Sequence, residues 1–150
     1  MTDAPPHAMT PTTALEGGER VIARFHPDRM AYWRDHAWLA GGAMALGMAV
    51  LWSIGNPHVW TGAVGGLAAV AVRAFYVASD ELQARWDLTD RRLLGPQTRA
   101  LRLADIETVR RLGSAVQVVT TAGDKHLIKY QADGAATRAR LETAIAGGSE

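Results

Sequence analysis

Residues 37–72 read AWLAGGAMALGMAVLWSIGNPHVWTGAVGGLAAVAV, with no Lys, Arg, Asp or Glu. The only titratable side chain in this run is His58, beside Asn56 and Pro57. Asn-Pro signals a turn, and a proline inside a helix removes a backbone hydrogen bond. The run therefore divides into two apolar segments, 37–55 and 59–78. Each is close to the ~20 residues an α-helix needs to cross ~30 Å of hydrocarbon. The expectation is a transmembrane helical hairpin over 37–78.

The edges of the run support that reading. Tyr32, Trp33 and Trp38 open the first segment and Trp52 closes it; Trp60 opens the second, and Phe75 and Tyr76 close it. Amphipathic rings favour the boundary between lipid and water. Arg73 is discordant, because an Arg at a bilayer centre costs roughly 2.5–3.5 kcal/mol on insertion scales. It stands near the end of the second segment, so its guanidinium can snorkel to the headgroups. Two uses fit it: an interfacial anchor, or a grip on a lipid phosphate or a partner's carboxylate. Basic residues set the orientation. Arg20, Arg24, Arg29 and Arg34 flank one end, Arg73, Arg85, Arg91 and Arg92 the other, and the connecting turn has none. The expectation is a multi-pass protein of the inner cell membrane, both termini cytoplasmic, with His58 on the far side. Gly41, Ala45 and Ala49 share one helical face, and Gly62 and Gly66 form a GxxxG. Such faces serve either to pack the two spans together or to drive self-association. The alternative to spanning is a hairpin buried inside a soluble oligomer.

Outside the run the material changes. Residues 1–18 are rich in Pro, Thr and Ala and lack apolar periodicity, which predicts a disordered tail. The tail lacks the basic start and apolar core of a signal peptide. Residues 19–36 form a cytoplasmic lead-in: Val21, Ile22 and Phe25 suit a short strand that His26-Pro27 would end. Residues 80–147 alternate as strands do. Strands are predicted at 86–89, 92–94, 98–103, 108–112, 115–121 and 126–130, with a helical turn at 104–107. Gly113-Ser114 and Ala122-Gly123-Asp124 read as hairpin turns. Asp133 reads as the N-cap of a closing helix over 134–146, ended by Gly147-Gly148.

The 150 residues carry a formal charge of +1 and no cysteine. This composition gives no nucleic-acid footprint, thiolate nucleophile or Cys-based metal site. His7, His26, His36, His58 and His126 are scattered, with no pair at metal-ligand spacing and no HExxH. His26 reads as a turn residue and His126 as a solvent-facing strand residue. No GxSxG or GxxxxGK[ST] occurs. Asp87, Asp90, Asp105 and Glu107 read as surface ion-pair partners of Arg91, Arg92, Arg110 and Arg111. Asp90 suits a turn that bonds its own backbone, and Asp105 a cap on the helical turn. No catalytic residue, cofactor or metal is expected.

Several motifs stand in a telling order: GERVIARFHP, the hairpin, WDLTDRRLL, LADIETV, VQVVTTAGDKHLI and a C-terminal helix. In this order the chain resembles bacterial membrane proteins with a pleckstrin-homology-like domain, from about Gly18 to Ala146. The resemblance implies an α+β membrane protein. Its hairpin would be followed by a small antiparallel β domain of about seven strands with a C-terminal helix. It also implies a noncatalytic adaptor that binds a protein partner, or a second copy of itself, at the bilayer surface. The alternative is sensing or handling of anionic lipid headgroups. Arg73, Arg85, Arg91 and Arg92 are the candidate lipid or partner contacts. Arg99, Arg102, Lys125 and Lys129 form a second basic stripe only if strand pairing gathers them.

Overall fold

The computed structural model describes residues 9–148. Residues 1–8, His7 among them, lie outside the described residues. Two compact units emerge: Tyr32–Ser79 is one, and residues 9–31 together with 80–148 are the other. The protein is α+β, with three helices and two small antiparallel sheets.

The first unit is a helix pair, α1 (Arg29–Ser53) and α2 (Trp60–Glu81). The Asp28 carboxylate accepts from the Ala31 N–H at 2.8 Å and caps the start of α1. Beyond the end of α1 the chain turns at Gly55, whose φ of 73° is open to glycine without strain. Its N–H donates to the Trp52 carbonyl at 3.0 Å and the Asn56 N–H to the Leu51 carbonyl at 2.9 Å. That double closure is a Schellman motif. The Asn56 side chain then accepts from the His58 N–H at 2.8 Å, so the Asn-Pro turn folds on itself.

The helices meet on glycine. A Cβ at Gly62 or Gly66 would run into the backbone of Gly47 or Ala43 respectively. The GxxxG of α2 thus packs against α1 within the hairpin, the first of its two predicted uses. The complementary face of α1 is Ala43 and Gly47, not the predicted Gly41, Ala45 and Ala49. A Cβ at Gly41 would meet nothing within 4 Å. Both faces have four-residue spacing, so spacing alone cannot choose between them. Tyr32 also departs from expectation. Instead of joining an interfacial belt, it is fully buried and its hydroxyl donates to the Ala74 carbonyl at 2.6 Å. Among the described helices only α2 is long and apolar enough to cross a membrane. The first turns of α1 hold Arg29, Trp33, Arg34, Asp35 and His36, and two further tryptophans dilute the rest.

The second unit holds seven strands. Four form one sheet in the order β1 (Val21–Phe25), β2 (Trp86–Thr89), β3 (Arg92–Leu94) and β4 (Ala100–Arg102). A 3-10 turn at Leu103–Asp105 leads to the second sheet, β5 (Ile106–Leu112), β6 (Ala115–Thr120) and β7 (Lys125–Ile128). In β6, Val116, Val118 and Thr120 are buried and alternate with half-exposed neighbours, as the pleat requires. The core joins Trp86, Leu88 and Leu93 to Val109, Val116, Val118 and Ile128, with Leu141 inserted from α3 (Gly134–Gly147). Asp133 caps α3, accepting from the Ala136 N–H at 3.0 Å.

Two boundaries differ from the expected domains. β1, expected within a separate lead-in, pairs antiparallel with β2 from Val21↔Thr89 to Phe25↔Trp86. The helix pair is therefore an insertion between the first two strands of one sheet. Alternation marks a strand but not its partner sixty residues away, so sequence alone does not show this. Residues 9–18, expected within the disordered tail, are hydrogen-bonded to the β unit. Met9 accepts from the Arg85 N–H at 2.9 Å, and Thr12 donates to the Gln97 carbonyl at 2.9 Å.

Candidate functional site

The four candidate arginines are divided between the two units. Arg73 is exposed on α2, in the helical unit; Arg85, Arg91 and Arg92 belong to the β unit. Arg85 is committed locally: its Nε lies 3.0 Å from Oδ1 of Asp87, and its Nη2 donates to Oδ2 at 3.2 Å. Asp87 is buried and is also 3.8 Å from Arg24.

Arg92 is built into a brace. Thr89 ends β2, and its hydroxyl oxygen accepts from the N–H groups of Arg91 at 3.1 Å and Arg92 at 2.8 Å. That turns the chain so that Arg92 returns as the first residue of β3. The same hydroxyl donates to Oε1 of Glu19 at 2.6 Å. Arg92 grips Glu19 with both forks, Nε to Oε1 at 2.9 Å and Nη2 to Oε2 at 2.6 Å. The Glu16 N–H completes the shell at 2.8 Å. The Glu19 side chain is 0% exposed and that of Arg92 11%. The Arg92 hydrogen bond, reinforced by Thr89 and the Glu16 N–H, holds the Glu19 carboxyl at about 2, although burial pushes it upward. The pair raises Arg92 in return. A carboxylate with so many donors is a structural anchor, because it has no lone pair left for a substrate.

Arg91 alone of the three keeps a free aspect. Its side chain is 52% exposed, 3.9 Å from the Glu16 carboxylate, and it donates to the Gly17 carbonyl at 3.4 Å. Arg91, Arg92, Arg102, Glu16 and Asp90 line a shallow cavity of about 480 Å³. Three arginines and two carboxylates share its lining. A larger groove of about 650 Å³ runs along Ile22, Ala23, Leu88, Ala139, Thr143 and Ala144, between β1, β2 and α3. Asp90 and Arg140 also line it, and its walls are otherwise mainly apolar.

No known protein family, curated protein or solved structure matches this chain. Its chemistry is therefore read from its own side chains. Among the described residues no three of His, Asp and Glu converge as metal ligands. His126, expected to face solvent, points to the core side of β7 and meets the Trp86 ring edge-on at a centroid distance of 6.2 Å. Its register explains this: His126 lies opposite buried Val118. Of the four acids expected to pair with arginines, Asp87 and Asp105 do so, with partners other than those expected. Asp105 takes Arg102 at 3.0 Å rather than capping its turn, and Asp90 accepts from the Arg20 N–H at 3.1 Å rather than from its own turn. The decisive residue missed from sequence is Glu19. Its signal is an acid two residues before a strand whose partner strand ends at Thr89, three residues before Arg92, and it is visible only once β1 is paired with β2.

Proposed function

We propose that this chain is a noncatalytic integral membrane adaptor. Its helix pair is a two-span hairpin in the inner membrane, and its β unit is a cytoplasmic pleckstrin-homology-like domain holding a protein partner, or a second copy, beside the bilayer. One observation carries the reading: the large side chains of the helix pair point outward. Trp38, Leu46, Trp52, Trp60, Phe75 and Tyr76 are all at least 64% exposed, on helices uncharged between His36 and Val72. Water would not tolerate so continuous an apolar surface, whereas lipid would. α1 follows α2 into the bilayer because the two backbones touch through Gly47, Gly62 and Gly66. At about 1.5 Å per residue each helix exceeds the ~30 Å hydrocarbon layer. Seven strands in sheets of four and three, closed by a C-terminal helix, support the domain reading. The adaptor role is favoured over catalysis because the buried polar groups of the β unit are spent on each other.

The test uses the absence of native cysteine. In intact cells, His58→Cys is expected to react with a membrane-impermeant maleimide from outside, and the chain to stay in the pellet after alkaline carbonate. Release into the supernatant overturns the hairpin. Crosslinking in the same cells is expected to recover one defined partner or a dimer. A lone monomer overturns the adaptor role.

A further inference from the structure

The register of the second sheet gathers side chains that sequence could not place. Arg110 lies opposite Gln117, and Gln117 opposite Leu127, in one row across β5, β6 and β7. On β7, Lys125 and Leu127 point outward while His126 and Ile128 face the core. Lys129 continues the outward alternation one step past the strand. Leu112, at the end of β5, joins the same face. Leu112 and Leu127 are 50% and 41% exposed. No carboxylate occupies an outward position of the three strands. The one acid of β5, Glu107, is the bulged residue and lines a different cavity with Arg138 and Glu142 of α3. Neither Arg110 nor Lys125 has an ion-pair partner among the described residues. Lys129 reaches Glu81, the last residue of α2, at 3.3 Å.

We propose that this outer face of β5, β6 and β7 docks on the anionic lipid surface of the membrane that α2 enters. The face is about 10 Å across at ~4.8 Å per strand. It presents cations around two leucines, the combination that an anionic headgroup layer with an apolar interior accepts. The chain runs directly from α2 into the β unit, so the covalent tether keeps the bilayer at high effective concentration. The proposal rests on the hairpin reading. It moves the lipid contact from Arg85 and Arg92, which are held by Asp87 and Glu19, to the unpaired Arg110 and Lys125, with Lys129, bridged to Glu81, at the margin of the face. Lysines on edge strands also block unwanted strand addition. Charge reversal separates the two roles, since Glu blocks an edge as well as Lys does and repels an anionic bilayer.

The full chain carrying Leu127→Cys, labelled with a polarity-sensitive dye, is reconstituted into nanodiscs of neutral lipid alone or with added phosphatidylglycerol. The dye is expected to report an apolar environment only in the anionic discs. The shift is expected to vanish at raised ionic strength and with R110E plus K125E. Hydrogen exchange of the β6 amides verifies that this variant is folded, and R110Q plus K125Q, which is expected to halve the shift or more, serves as the milder pair. Equal dye signals in neutral and anionic discs of inserted protein overturn the proposal and leave the hairpin intact. A shift seen only on adding polyglutamate overturns it in favour of an acidic protein partner. A chain that does not enter discs refutes the hairpin and this docking together.

Discussion

The helix pair and the β unit pack by opposite rules. In the β unit large side chains point inward: Trp86, Leu88, Leu93, Val118, Ile128 and Leu141 are almost wholly buried, and carboxylates near them are matched with arginines. In the helix pair the contact is backbone on backbone through glycine, and the large side chains point out. Burying apolar side chains drives folding only when the surrounding solvent is water. Where the surroundings are themselves apolar, close approach of small residues is what remains to hold helices together. On the membrane reading proposed above, one chain obeys both rules because it meets two solvents.

The comparison breaks most visibly at Gly66. Gly66→Leu drives a side chain into the Ala43 backbone, which has no rotamer by which to yield. Overpacking ordinarily costs about 1–3 kcal/mol, and a backbone obstacle lies at or beyond the upper end. Loss of a disulfide engineered between α1 and α2 is the expected readout, with hydrogen-exchange protection of β6 retained. If β6 protection is lost too, the two regions are not independent. A matched pair comes next. Leu141→Ala empties the core and is expected to cost about 2–5 kcal/mol, measured as earlier unfolding in urea. Leu46→Ala, on the exposed side of α1, is expected to cost a small fraction of that. Equal losses would mean that the outer face of α1 packs against protein rather than lipid.

The two regions were also unequally legible. The strands of the β unit follow period two and its helix carries its own cap, so Trp86, Gly95-Pro96, Gly113 and Asp133 mark their elements locally. What pairs with what is not local. The partnership of β1 with β2 spans the whole helix pair, and with it go Glu19, Thr89 and the true role of Arg92. The same holds for His126, whose inward aspect depends on register with Val118. In the helix pair, existence and turn were plain from the uncharged run and Asn56-Pro57. The facing surface was not, because Ala43/Gly47 and Gly41/Ala45 are equally spaced. Burial of Tyr32 depends on its contact with Ala74, which no periodicity announces.

Acid sharpens the contrast further. Glu19 is held at about 2 in the folded chain against an ordinary value of 4.5. The unfolded state thus binds the proton more readily, and stability falls as pH drops from about 4.5 towards 2. At neutral pH the full contribution is present. Unfolding of the β unit followed between neutral pH and pH ~2 is expected to show this loss, and E19Q to flatten that slope. The helix pair has no acid between His36 and Val72, so its hydrogen exchange over the same range is expected to hold steady beyond the intrinsic pH effect. A persisting slope in E19Q would assign the acid sensitivity elsewhere.

The smallest effect tests what holds each helix. α3 has 14 residues, a length at which an isolated helix in water is marginal. Its cap therefore matters: Asp133→Ala removes the acceptor of the Ala136 N–H and is expected to cost about 1 kcal/mol. α1 carries the same device, Asp28 accepting from the Ala31 N–H. In hydrocarbon every backbone group must already be satisfied within the helix, so helix formation there does not wait on its first turn. Asp28→Ala is accordingly expected to leave α1 amide protection beyond Trp38 unchanged, while Asp133→Ala lowers protection along α3. If both substitutions fray their helices alike, α1 depends on its cap as a helix in water does, and the two-solvent account of this chain fails at its most sensitive point.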